Sequence, residues 1–141
     1  MSGGPGDTIQ ELIDVAAGKA GALIQRIHTA APGAEVVVVG YPRIMPDNAW
    51  SRQFNTPLAV GDIDYLRNAE LSLNAAISTQ AQANKATFVD TYHSTDGHDM
   101  CRPNEQRWVE NVVVVNGTGK PLHPNQYGQI AMAGAVQRAL G

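Results

Sequence analysis

Histidine is the side chain best suited to moving protons near neutrality, and this chain has 4 of them. His123 has the most informative setting, Pro121-Leu122-His123-Pro124-Asn125. Pro124 biases His123 toward extended geometry and is itself favoured at the first position of a helix. This predicts His123 at a helix N-cap, its backbone fixed and its ring free to reach into a cleft, as a general base requires. From position alone, the simpler role is a cap or surface residue. A second cluster gathers Asp90, His93, Asp96, His98, Asp99 and Cys101 in one short stretch. Such a loop can ligate zinc, but no pair has a regular ligand spacing, so a solvated loop is expected and no metal or cofactor is assigned. Trp50 and Trp108 either line a pocket or plug their loops onto the sheet. His28, beside Ile27, reads as a partly exposed helix residue. Cys101 reads as an inert thiol.

The elements that must position these residues follow from hydrophobic period. Ile9, Leu12, Ile13, Ala16, Ala20, Leu23, Ile24 and Ile27 recur at helical spacing from about Thr8 to Ala31. Asp7 or Thr8 can cap this helix, Thr8 with Glu11 suiting a capping box, and Ala31-Pro32-Gly33 ends it. Glu35 to Gly40 carries four consecutive valines, the pattern of a parallel strand buried on both faces. Helical period returns from Asp62 to about Asn84, and Ala86 to Asp90 is a second short strand. Val112 to Val115 is a possible outer strand. Pro124 to Leu140 closes the chain as an alanine-rich helix. The alternation predicts an α/β domain with a parallel sheet. Two strands are too few for such a sheet, which usually has about four to six. Residues 1–141 are therefore expected to be the C-terminal part of a single larger domain, with residues 1–7 a flexible N-terminus. Ligands of open α/β sheets bind beyond the carboxyl ends of the strands, here at Gly40-Tyr41-Pro42 and Asp90-Thr91-Tyr92.

Composition narrows the function classes. The net charge is -3 with scattered Lys and Arg, so no basic footprint for nucleic acid is present. No apolar run reaches the length of a membrane span. The opening residues show no signal peptide, and a lone cysteine cannot form an internal disulfide.

The ordered set of motifs resembles the SGNH (GDSL-type) esterases and lipases, in their secreted actinobacterial branch. The set comprises Val36-Val37-Val38-Val39-Gly40-Tyr41-Pro42, Phe88-Val89-Asp90-Thr91-Tyr92, Gly97-His98-Asp99 with Cys101, Arg107-Trp108-Val109, and His123-Pro124-Asn125 with Tyr127-Gly128. The resemblance runs from about residue 9 to residue 140. It implies a flavodoxin-like three-layer α/β/α fold, the SGNH hydrolase fold, with its N-terminal strands missing here. It also implies hydrolysis of small-molecule or lipid carboxylic esters by serine and histidine, outside the cell and without a cofactor. His123 matches the family's general base. Where the family usually has an aspartate three residues earlier, this chain has Lys120, whose backbone carbonyl is expected to orient the ring instead. Tyr41 and Trp50 are assigned to substrate binding. The family's Gly-Asp-Ser nucleophile block has no counterpart: Ser2, Ser51, Ser72, Ser78 and Ser94 lie in other contexts. The branch's disulfide partner for Cys101 is likewise not found.

Two readings of function follow. In one, the chain carries the histidine block of an ester hydrolase, and an N-terminal partner segment supplies the nucleophile. In the other, it is a catalytically inactive remnant or binding module. The valine strand, patterned for two neighbours, predicts edge pairing into a homo-oligomer unless that segment covers it.

Overall fold

The structure is a computed structural model and describes residues 5–48, 56–114 and 119–141. Its elements are α1 (Pro5–Ala30), β1 (Val37–Val39), α2 (Val60–Ala83), β2 (Thr87–Val89), a 3-10 turn (His93–Thr95) and α3 (Gln126–Leu140). β1 and β2 pair in parallel, Val37 opposite Thr87, Val38 opposite Phe88 and Val39 opposite Val89. The expected α/β alternation and parallel pairing are both present. The chain divides into two units. One runs as far as Gly40 and adds Ala69–Val89; the other comprises Tyr41–Asn68 and Asp90–Gly141.

In the first unit α1 begins at Pro5, ahead of the expected cap at Asp7 or Thr8, with proline at the helix start where its missing N–H costs nothing. The expected apolar stripe splits into two faces. Ile13, Ala17 and Ile24 are buried, whereas Leu12, Leu23 and Ile27 are exposed. The end of α2 is closed by Lys85, a non-glycine residue at φ 58°. Its N–H donates to the Gln82 carbonyl, and the Ala86 N–H donates to the Ala81 carbonyl at 2.9 Å. This is a Schellman cap with lysine where glycine is usual, and it turns the chain straight into β2. The Thr87 N–H then donates to the Val36 carbonyl, and the Gly40 N–H to the Val89 carbonyl. Gly40 must be a glycine, because a Cβ there would stand 2.8 Å from the Phe88 ring. The valine strand is less buried than expected: Val36 to Val38 are half-buried and Val39 is exposed. Among the described residues β1 has one strand beside it, so burial on both sides does not arise.

The core of the second unit is Met45, Met100, Cys101 and Val109, with Ile44, Leu58 and Val112 packed against it. Loops supply nearly all of it. Their backbones are tied by the Met100 N–H to the Ile44 carbonyl and by the Asn111 side chain to the Met100 carbonyl. Arg43, 6% exposed, lies over the Tyr92 ring at 4.3 Å and pairs with Asp47 and Asp96. Val112 to Val114 form no strand. Val112 is drawn into this core while Val113 faces solvent, and no described strand offers the segment a ladder. Val115 lies outside the described residues.

Candidate active site

His123 is held by the chain on either side of it. The Glu110 N–H donates to the His123 carbonyl at 3.0 Å, and the Leu122 N–H donates to the Glu110 carbonyl at 3.1 Å. One residue further, Val109 and Pro124 form an antiparallel bridge, and the Asn125 N–H donates to the Trp108 carbonyl at 2.9 Å. Residues 108–110 and 122–125 thus form a short antiparallel ladder. Buried beneath it, Arg107 and Glu110 form an ion pair at 2.8 Å. Such a pair must stay intact, since removing one partner leaves an uncompensated buried charge.

The turn into the ladder is strained. The His123 N–H donates to the Lys120 carbonyl at 3.1 Å, closing a four-residue turn. Pro121 takes its second position, and Leu122 its third, at φ 60°. That is the type II pattern, which normally needs glycine at the third position. A left-handed leucine is uncommon, and such residues persist where the surroundings over-determine them.

The helix start differs from expectation. Asn125, not His123, is the N-cap of α3: its Oδ1 accepts from the N–H groups of Tyr127 and Gly128 at 3.0 and 3.2 Å. Its Nδ2 donates to the Arg107 carbonyl at 2.8 Å. Pro124 is used in the ladder instead of the first helical position, so His123 stands two residues ahead of the cap. Asparagine wins the cap because one short amide reaches both free N–H groups. Gly128 allows α3 to run against residue 108: a Cβ there would collide with the Trp108 backbone.

The His123 side chain is exposed, and its Nδ1 lies 2.8 Å from the Pro121 carbonyl. A proton on Nδ1 donated to that carbonyl leaves the Nε2 lone pair free, the tautomer a general base needs. The carbonyl that meets the ring is therefore that of Pro121. The Lys120 carbonyl, expected in that role, is occupied by the His123 backbone N–H. Tyr41 is exposed immediately after Gly40. Trp50, the other expected binding residue, lies outside the described residues. Ser94 donates to the Thr91 carbonyl at 3.0 Å, and Ser72 and Ser78 are carried on α2. Ser2 and Ser51 lie outside the described residues.

The cluster from Asp90 to Cys101 disperses into separate roles. Asp96 pairs with Arg43, and Asp99 accepts from the Cys101 N–H and from Arg102. Cys101 is buried in the core. His98 stacks flat on Trp108, ring centroids 3.5 Å apart, with its Nδ1 on the Gln106 carbonyl. Among the described residues no three such groups converge on a metal position. One pairing escaped the sequence reading. Asp90 Oδ2 meets His93 Nδ1 at 2.5 Å, and Asp90 Oδ1 accepts the His93 N–H at 3.1 Å. Partial burial works to raise the Asp90 pKa, but hydrogen bonds from the His93 backbone and ring, the His93 charge and the Tyr92 N–H outweigh it. The carboxyl is held below its ordinary 3.8. The Asp-x-x-His spacing at a strand end was the available signal.

Comparisons with known proteins agree with this architecture. The profile of the GDSL-like Lipase/Acylhydrolase family matches residues 3–130. Lipase 2 of Streptomyces coelicolor is 38% identical over 116 residues, covering 82% of this chain and 39% of the relative. Lipase 1 of the same organism is 29% identical over 114 residues, covering 79% and 39%. The chain thus spans about two-fifths of the length of these curated relatives. Among solved structures, phospholipase A1 from Streptomyces albidoflavus NA297 superposes with a TM-score of 0.75 at 22% identity, over 92% of this chain and 53% of that one. An extracellular lipase from Streptomyces rimosus does so with a TM-score of 0.71 at 21% identity, over 87% and 50%. Among the described residues no helix is long and apolar enough to cross a membrane.

Proposed function

The chain belongs to the GDSL-like lipase/acylhydrolase family and has the α/β fold of SGNH lipases, and from that premise we propose that it carries the histidine block of a carboxylic ester hydrolase. The observation that carries the reading is the geometry of His123. Its backbone is clamped in the ladder, its Nδ1 rests on the Pro121 carbonyl, and its exposed ring leaves Nε2 open. In this reading Nε2 takes the proton of an attacking serine hydroxyl and returns it to the leaving alcohol. The Pro121 carbonyl holds the tautomer and stabilises the transient imidazolium, the part a carboxylate plays elsewhere. The Lys120 carbonyl acts one step removed, by closing the turn that aims the ring. Tyr41 and Trp50 are assigned to the ester-binding surface. The substrate is a small-molecule or lipid ester, and the place of action is outside the cell, as for the extracellular relative.

The serine nucleophile and its oxyanion donors come from a partner segment bearing a Gly-Asp-Ser block, which also covers the second edge of β1. The alternative, an inactive remnant or binding module, draws on one observation. Among the described residues the His123 ring has the Pro121 carbonyl as its hydrogen-bond partner and no serine hydroxyl.

The test joins the chain to a segment bearing the family's Gly-Asp-Ser block and measures hydrolysis of short activated esters. The joined protein is expected to react with a serine-directed phosphonate and to turn over. His123→Ala should then remove at least about two orders of magnitude in rate. Full activity in the His123→Ala protein would overturn the assignment of the base. Absence of turnover in the joined, folded protein would favour the inactive remnant.

A further inference from the structure

The Asp90–His93 pair stands apart from the His123 block and has a chemistry of its own. β2 delivers Asp90 one residue beyond its carboxyl end, and the 3-10 turn brings His93 back over it. Each carboxylate oxygen meets His93, Oδ1 accepting its N–H and Oδ2 meeting Nδ1, and the Tyr92 N–H also bonds the carboxylate. The ring is therefore fixed by its backbone and its side chain together. Tyr92 supports it edge-on at 5.5 Å and 76°. The side chains remain open to solvent, 70% for His93 and 49% for Asp90. No other histidine combines these features. His98 lies flat against Trp108, the Nε2 of His28 is buried, and His123 rests on a neutral carbonyl.

We propose that Asp90 and His93 form a second, serine-independent site at which the His93 imidazole is acylated by activated carboxylic esters. The carboxylate draws the ring proton to Nδ1 and leaves a lone pair at Nε2 facing solvent. That lone pair bonds to the ester carbonyl carbon, and the carbon–oxygen bond to the leaving aryl oxide breaks with its electron pair. The ring now carries an acyl group and a positive charge, which the Asp90 carboxylate stabilises at short range. Water adds to the acyl carbon, the carbon–nitrogen bond breaks, and its electron pair returns to Nε2. One ester and one water give one carboxylate, one aryl oxide and two protons released to solvent. Nothing in this sequence requires a serine or an oxyanion hole. The ligands are accordingly esters with good leaving groups, not the alkyl esters of lipids.

The test uses the full 141-residue chain, pretreated with a serine-directed phosphonate so that any serine route is closed. Turnover of p-nitrophenyl acetate is followed, and the reaction is acid-quenched for peptide mapping by mass spectrometry. The acetyl group is expected on the peptide at His93. His93→Gln should lower the rate at least about tenfold. Asp90→Asn, which keeps a neutral hydrogen bond, should lower it by up to about tenfold, the difference between a charged and a neutral partner. Both positions are exposed, so both variants should stay folded, Asp90→Asn with a modestly lower midpoint than the parent. Acetylation at another residue, an unchanged rate in His93→Gln, or no turnover at all would each overturn the proposal. Because the phosphonate silences the serine route first, each result leaves the His123 reading standing or falling by its own test.

Discussion

Replacing Asn125 by alanine tests how the site is anchored to its helix. Asn125 is 4% exposed and makes three side-chain hydrogen bonds: two accepted from the first turn of α3 and one donated to the Arg107 carbonyl. Losing an asparagine cap costs about 1 kcal/mol, within a range of roughly 0.5–2. Leaving a buried carbonyl without its donor costs a further 1–3 kcal/mol or so. Asn125→Ala should therefore lower the unfolding free energy by about 2–4 kcal/mol, and the melting temperature by roughly 8–15 °C for a chain of this size. Asn125→Ser keeps a cap acceptor but cannot reach Arg107, so it should fall between, at about 1–2 kcal/mol. Urea denaturation followed by far-UV circular dichroism measures all three proteins, and an unchanged slope would assign the losses to the native state. A loss below about 0.5 kcal/mol in Asn125→Ala would refute the reasoning. Equal losses in the serine and alanine variants would show that the cap itself contributes nothing.

Two further outcomes are expected. Leu122 sits in the left-handed region next to His123, so Leu122→Gly should relieve about 1–2 kcal/mol of backbone strain against roughly 0.5–1 lost to a freer unfolded chain; a small rise in thermal midpoint is expected, and a drop of several degrees would show that the turn is not strained. Asp90 has a depressed pKa in the fold, so its contribution to stability is present above the ordinary 3.8 and is lost as pH falls through the lower folded value. The denaturation midpoint of the chain should therefore exceed that of Asp90→Asn above that pH and converge with it on acidification, and a gap that widens in acid would contradict the assignment.

The residues show which features were legible in advance. Helical period located the three α-helices of the described residues, and the valine run located β1, because those signals lie within a few residues and need no partner to be read. The family was legible from ordered motifs spread along the chain, and the matching profile bears it out. The cap was not. Pro124 was equally suited to opening a helix or to joining a ladder, and the choice depended on whether residues 108–110 lay alongside. The apolar stripe of α1 was read as one face, yet Leu12 and Leu23 are exposed while Ile13 and Ile24 are buried. Period gives the width of a stripe and not what covers it. Val112 to Val115 had strand propensity, but propensity cannot supply a neighbour.

By itself the sequence determined an α/β alternation, a parallel pair of short strands and a histidine just ahead of the final helix. Each of these rests on contacts between residues close along the chain. The tertiary structure decided which group meets which. It put Pro121 rather than Lys120 against the His123 ring, joined Asp90 to His93, and sent Asp96, Asp99 and Cys101 to three different partners. These outcomes turn on differences of one residue in register and on chain segments brought alongside from elsewhere. A hydrogen bond forms only where donor and acceptor come within about 3 Å, and no local pattern specifies that distance between residues whose positions are set by folding.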